Sequence, residues 1–362
     1  MQTGFLSDVS VLPLVVGPQA GAATTSREAL VEWARANGPW IDDHLLAHGA
    51  LLFRGFRVRT PEAFESIATA ISPQFSDYVG GISPRRHVVG AVSTSTEAPS
   101  FVPIPLHCEM AYLDRYPSKV MFWCQVPPVR GGQTPLADMA AVYRALDPDV
   151  RSRLEQRGLL LVETVPGRRR LLTPRTWRER FGMDRAGIEA FCVERGIEAQ
   201  WLEDGSLRLR SRRPAVILHP RSGEKIWFNA ATMHDSYSWE LRRVGRMLGA
   251  SILAFSERRS DRRAAGLRRS HSTYGDGTEI ARRDIEHIRR TLWDHAGLFD
   301  WQQGDVLVLD NCRVAHGRMP FKGPRRILVA LGEQVRAEAY IPPVTRVSAG
   351  PDGQASAASK SR

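Results

Sequence analysis

A His-x-Glu pair at His107 and Glu109, and a histidine at position 316 near the other end, constrain this 362-residue chain more than any other feature. Two residues spaced two apart on a strand project to the same face, so one strand face can supply two metal ligands at once. The third must then arrive from a segment far away in sequence. By itself the short motif carries little weight. With 39 acidic residues and ten histidines, about one His-x-Asp/Glu is expected by chance, and the chain has one.

The surroundings of the two segments carry more. After Glu109, the apolar run Val120 to Cys124 leads through Pro127, Pro128 and the Gly131-Gly132 pair to Thr134, a strand-turn-strand pattern, and Pro135 and Asp138 introduce a helix through Leu146. In the distal segment, Trp301 to Asp305 predicts a turn, Val306 to Leu309 a buried strand, and Asp310-Asn311 its end, with His316 in the loop that follows. Gly323-Pro324 then turn the chain into a strand that begins Arg325-Arg326 and continues as Ile327 to Leu331. An arginine entering an apolar strand requires a partner, because a buried, unpaired charge is very costly. A dicarboxylate ligand matches a guanidinium bidentately. Two imidazoles and one carboxylate, with the remaining positions open, form the ligand set of non-haem Fe(II) oxygenases.

Five segments in order, GALLFRGF (49–56), STSTEAP (93–99), HCEMAYLDRYPSKVMFWC (107–124), GGQTPLAD (131–138) and DNCRVAHGRMPFKGPRRIL (310–328), resemble the TauD/TfdA family of Fe(II)- and 2-oxoglutarate-dependent dioxygenases, and within it the SyrP-like and clavaminate synthase-like branch. The resemblance implies a mainly β fold with flanking helices: a double-stranded β-helix, or cupin-like jelly roll, with helical insertions. It also implies that His107, Glu109 and His316 hold the iron, that Thr134 helps to hold 2-oxoglutarate, and that Arg326 grips its distal carboxylate. Arg325 is the fallback for that last role, since strand alternation lets only one of the doublet face the interior. Glu109 stands where the wider family has aspartate, as in the clavaminate synthase-like branch. Cys108 stands where that branch often has asparagine, and its side chain is expected to point away from the metal.

The implied chemistry is oxidative decarboxylation of 2-oxoglutarate by O2 to succinate and CO2, coupled to hydroxylation of an unactivated C–H bond. Desaturation and cyclisation use the same oxidant. Halogenation is disfavoured because the carboxylate Glu109 is present where halogenases carry a small residue. The branch implies an amino acid, an amino-acid derivative or a carrier-protein-tethered aminoacyl group as substrate, as in antibiotic biosynthesis. Tyr112, Asn229, His234 and Arg318 are the candidates to line its pocket, each with a plain structural alternative as core, turn or ion-pair residue.

Composition agrees with one catalytic domain over 1–346, with insertions and lid elements at about 150–300 and a disordered polar tail at 347–362. Four cysteines without a Cys-x-x-Cys pair suggest neither a disulfide framework nor a zinc knuckle. No basic leader or membrane-length apolar run is evident, so the cytoplasm is the expected compartment and no membrane partner is expected. The net charge of +11 is nearly all arginine, with lysine only at 119, 225, 322 and 360. The arginines at 258–259, 262–263, 268–269, 282–283 and 289–290 admit a nucleic-acid patch or an acidic carrier protein. Interleaved acids, and an apolar stripe at Ile280, Ile285, Ile288 and Leu292 on a helix from Glu279 to His295, favour a solvated helix face instead. A catalytically silent jelly roll that binds a small molecule or partner is the alternative from a different class; an intact ligand triad argues against it.

Overall fold

Short apolar runs bounded by turn residues make strands buried on both faces, and the fold sorts their two faces into two cores. The computed structural model describes residues 1–6, 12–19, 25–81, 85–169, 175–232 and 270–340. Its principal sheet has eight strands in the order Gln2–Phe5, Leu14–Gly17, Ala50–Phe53, Val306–Asp310, Lys119–Val126, Arg326–Leu331, Val92–Thr94 and His87–Val89. All neighbours are antiparallel except Leu14–Gly17 beside Ala50–Phe53. On one face Leu51, Phe53, Met121, Trp123, Val306, Val308, Leu328 and Ala330 pack against the helices Arg27–Ala36, Gly38–His48 and Pro61–Ile71. The alternate residues Leu52, Phe122, Cys124, Leu307, Leu309, Ile327 and Val329 face the other way.

That inner face meets a second antiparallel sheet of four strands: Ala296–Phe299, Thr134–Asp138, Val314–Arg318 and Ile104–His107. Leu106, Leu136, Val314 and Phe299 belong to the same core as the inner face of the principal sheet. Two facing sheets of this kind form the jelly roll that the sequence implies, with a cavity between them. A third sheet has the order Ile197–Trp201, Leu207–Arg213, Leu159–Val165 and Ser270–Tyr274, with a small core of its own around Trp177, Phe181, Ile188 and Leu207.

Capping explains where the helices begin. Ser26 accepts from the Ala29 amide, Thr60 from Ala63, and Asp138 from Ala140 and Ala141, each satisfying donors that the first turn leaves without helical partners. The expected helix near the C-terminal arginines runs over Arg282–Asp294 with Ile285, Ile288 and Leu292 buried. Arg282 pairs with Glu286 and Arg283 with Asp284 on the helix surface, whereas Arg289 is buried and donates to the Thr232 carbonyl oxygen. The arginines from 258 to 269 and the tail 347–362 lie outside the described residues.

Two local expectations need correction. The strand expected to carry both His107 and Glu109 ends at His107, and Glu109 sits in the turn beyond it. His316, expected in a loop, lies within the strand Val314–Arg318. That strand runs close to its neighbours because Gly317 lacks a side chain: a Cβ there would come within 2.6 Å of the Ile104 carbonyl oxygen.

Candidate active site

Strand register places the two histidines face to face. His107 and His316 are direct partners on adjacent antiparallel strands, and their ring centroids are 4.5 Å apart. Glu109 reaches the same point from the turn, with its Oε2 3.8 Å from His316 Nε2. One ligand atom from each of the three residues lies within 4.8 Å of the others, and Glu109 and His316 are buried. His107 Nδ1 lies 2.8 Å from the Pro105 carbonyl oxygen, to which its N–H donates, leaving Nε2 with a free lone pair. Burial, with His107 and Arg85 beside it, holds the His316 imidazole well below its ordinary range, in the neutral form that binds a metal.

The cavity beside this cluster is lined by Tyr78, Arg85, Tyr112, Phe122, Thr134, Arg318 and Arg325, among others. Thr134 is buried on the second sheet, and the Trp301 indole N–H donates to its Oγ1 at 3.0 Å, so its own hydroxyl proton is free to point elsewhere. The turn before it requires glycine: Gly131 and Gly132 have φ of 72° and 71°, and a Cβ on Gly131 would meet the Pro320 carbonyl oxygen at 2.4 Å.

Arg325 donates from Nε to the Gly132 carbonyl at 3.2 Å and has no carboxylate partner among the described residues. Burial, with Arg318 nearby, pushes its guanidinium down to about 9. A half-buried cation of this kind is stabilised by an anion placed in the cavity. The donor set therefore fits its implied occupants: two imidazoles and a carboxylate for Fe(II), and a guanidinium with a hydroxyl for the far carboxylate of 2-oxoglutarate.

The description "Taurine catabolism dioxygenase TauD, TfdA family" matches residues 13–331. The chain belongs to the TauD/TfdA family. This TauD/TfdA protein is 32% identical to the dapdiamide synthesis protein DdaC of Enterobacter agglomerans over 90% of this chain and 95% of that one. It is 31% identical to a clavaminate synthase-like protein of Arabidopsis thaliana, over 88% and 93% of the two chains. Among solved structures, PvcB from Pseudomonas aeruginosa superposes with a TM-score of 0.51 at 16% identity, covering 89% of this chain and 87% of that one, a likeness of fold. Family membership makes the chain an oxidoreductase, a non-haem iron oxygenase that uses Fe(II), 2-oxoglutarate and O2.

The other candidate residues fare differently. Arg326 is exposed on the strand, whereas Arg325 lines the cavity. The reason is alternation: Ile327, Val329 and Leu331 face the space between the sheets and Arg325 is in phase with them, whereas Arg326 is in phase with Leu328 and Ala330 on the other face. Asn229 does not line the cavity. Its amide nitrogen donates to the Ala215 carbonyl and its oxygen accepts from the Ala231 amide, a buried turn. His234 lies outside the described residues. Tyr112 lines the cavity.

Arg318 also lines the cavity, but it donates to the carbonyl oxygens of Ala98, Pro99 and Val102 at 3.0, 2.7 and 2.7 Å. Arg318→Leu leaves those acceptors without this donor, and the expected cost is roughly 1–3 kcal/mol, read by urea unfolding of the metal-free protein. Unchanged stability with a raised KM for substrate would give Arg318 a binding role instead.

Arg85, Trp301 and Asn311 also touch the site residues, and no sequence motif marks them for that role. Arg85 donates to Glu109 Oε2 at 2.6 Å and lies 3.8 Å from the Tyr78 ring centroid. Its segment carries no motif that would have marked it. Trp301 stands in the recognisable turn before the strand Val306–Asp310, yet its contact with Thr134 depends on the pairing of two strands that lie far apart in sequence.

Proposed function

We propose that this enzyme hydroxylates an amino acid, an amino-acid derivative or an aminoacyl group tethered to a carrier protein, in natural-product biosynthesis in the cytoplasm. The observation that carries the reading is the convergence of His107, Glu109 and His316 beside a half-buried Arg325 that lacks a carboxylate partner among the described residues. The name of DdaC, a dapdiamide synthesis protein, supports the product class. Four buried free cysteines agree with a reducing compartment.

His107, Glu109 and His316 hold the metal; Arg325 and Thr134 hold the far carboxylate of 2-oxoglutarate. When bound, the iron with 2-oxoglutarate and O2 supplies the oxidant for an unactivated C–H bond. Arg85 restrains the carboxylate through its contact with Glu109 Oε2, and Tyr78 and Tyr112 border the space left for substrate. Phe122, whose ring centroid is 5.1 Å from that of His316, adds an apolar wall that limits water.

A tethered substrate has support in charge. The net charge is +11, and Arg208, Arg210 and Arg212 alternate along one face of the strand Leu207–Arg213, where Glu198 pairs with the latter two. An acidic carrier protein complements such a face. Among the described residues, no helix is long and apolar enough to cross a membrane.

The test is incubation with Fe(II), 2-oxoglutarate, O2 and a panel of free and carrier-tethered amino acids, followed by succinate and product mass. Succinate stimulated by one class, with a product 16 Da heavier, supports hydroxylation. A loss of two hydrogens instead assigns desaturation or cyclisation, and succinate independent of every candidate rejects the substrate class.

A further inference from the structure

The chain leaves its strand at His107, so the peptide groups around Glu109 lack a ladder partner, although Glu109 itself is buried. The next residue, Met110, is also buried and has φ of 59°, the only non-glycine in the left-handed region among the described residues. Such a conformation is strained for a methionine and persists only when its surroundings enforce it. The enforcing group comes from 202 positions away. Asn311, wholly buried, accepts from the Glu109 amide through Oδ1 at 2.7 Å and donates from Nδ2 to the Glu109 carbonyl at 3.0 Å. Its second amide hydrogen goes to the Pro117 carbonyl at 2.9 Å.

We propose that Asn311 is a positioning residue for the metal: its carboxamide replaces the missing strand neighbour, clamps both sides of the Glu109 residue and so sets the direction of the ligating carboxylate. The inference rests on the reading of His107, Glu109 and His316 as the metal site. Asn311 is itself fixed. Its amide donates to the Ser118 carbonyl at 3.0 Å, and Asp310 beside it accepts from the Cys312 amide and lies 2.9 Å from His219 Nε2. It also opens the turn that leads into the strand of His316, so one short segment carries a ligand and the clamp on another ligand. The carboxamide is chemically specific here, since one face must accept and the other must donate twice. Aspartate lacks the donors, and alanine leaves buried peptide groups unpaired.

The test compares Asn311→Ala with Ile67→Ala, a core truncation among the helices on the far side of the principal sheet. Both variants are studied below their unfolding temperatures. Mn(II) affinity is measured by electron paramagnetic resonance, and hydrogen exchange is followed at the Glu109 amide in metal-free protein. Asn311→Ala is expected to weaken Mn(II) binding about 10- to 100-fold, the range for groups that orient metal ligands, and to lose protection at Glu109. Ile67→Ala, although destabilised, keeps both within about twofold. Mn(II) affinity of Asn311→Ala within twofold of wild type overturns the proposal, as does an equal loss in Ile67→Ala. Wild-type protein that takes up no Mn(II) removes the metal-site reading and the proposal with it, and the wild-type titration tells that result from failure of the clamp alone.

Discussion

His316→Ala is expected to abolish Fe(II) binding and 2-oxoglutarate-dependent succinate formation, with affinity falling by more than about 100-fold, the upper end of what is lost when a supporting outer group is removed. His316 supplies one of three ligand atoms that lie within 4.8 Å of one another. It is also the residue that joins the two halves of the site, paired in register with His107 across adjacent strands and packed at its ring against Phe122. Removing it leaves two ligands from one short segment and an open coordination position. Metal binding by calorimetry, with circular dichroism to show an unchanged fold, checks the prediction. Retained iron affinity would mean that the ligand set is drawn wrongly.

The second large effect separates two adjacent arginines. Arg325→Ala should raise the KM for 2-oxoglutarate by about 30-fold or more, corresponding to the roughly 2–5 kcal/mol lost when one member of a buried, hydrogen-bonded charge pair is truncated. Arg326→Ala should leave it within about twofold, since that side chain is exposed. Arg325→Lys retains the charge but loses the planar fork that matches a carboxylate, and should fall between the two. Steady-state kinetics with 2-oxoglutarate varied at saturating Fe(II) reads all three. The reverse order, with Arg326 the sensitive position, would restore the assignment that the motif alone favours.

That doublet shows what the sequence could and could not reveal. The chain states that one arginine enters a buried strand, and alternation states that only one of two neighbours faces inward. The phase of the alternation is not local information. Ile327 to Leu331 is apolar at every position because helices cover one face of the principal sheet and the second sheet covers the other. Either phase therefore satisfies the pattern, and packing alone decides. The same limit hid the strand around His316, whose apolar content is interrupted by the site residues themselves.

The clustered residues His107, Glu109 and His316, and Thr134 beside them, were legible because they stand in motifs of recognisable order. The groups that support them were not. Trp301 on Thr134, Arg85 on Glu109 and Asn311 on the Glu109 peptide each join elements distant in sequence, and none has a spacing that signals the contact. Asn311 was readable as the end of a strand, which it is; its second task appears only when the turn at Glu109 is placed beside it.

In the proposed site one cavity holds both iron and 2-oxoglutarate. Anaerobic addition of Fe(II) and then 2-oxoglutarate, monitored for the visible charge-transfer band of the chelate, tests it most directly. The expected result is a band that requires both components, is absent in His316→Ala, and needs a much higher 2-oxoglutarate concentration in Arg325→Ala. Folded wild-type protein that gives no band with both components present would contradict it.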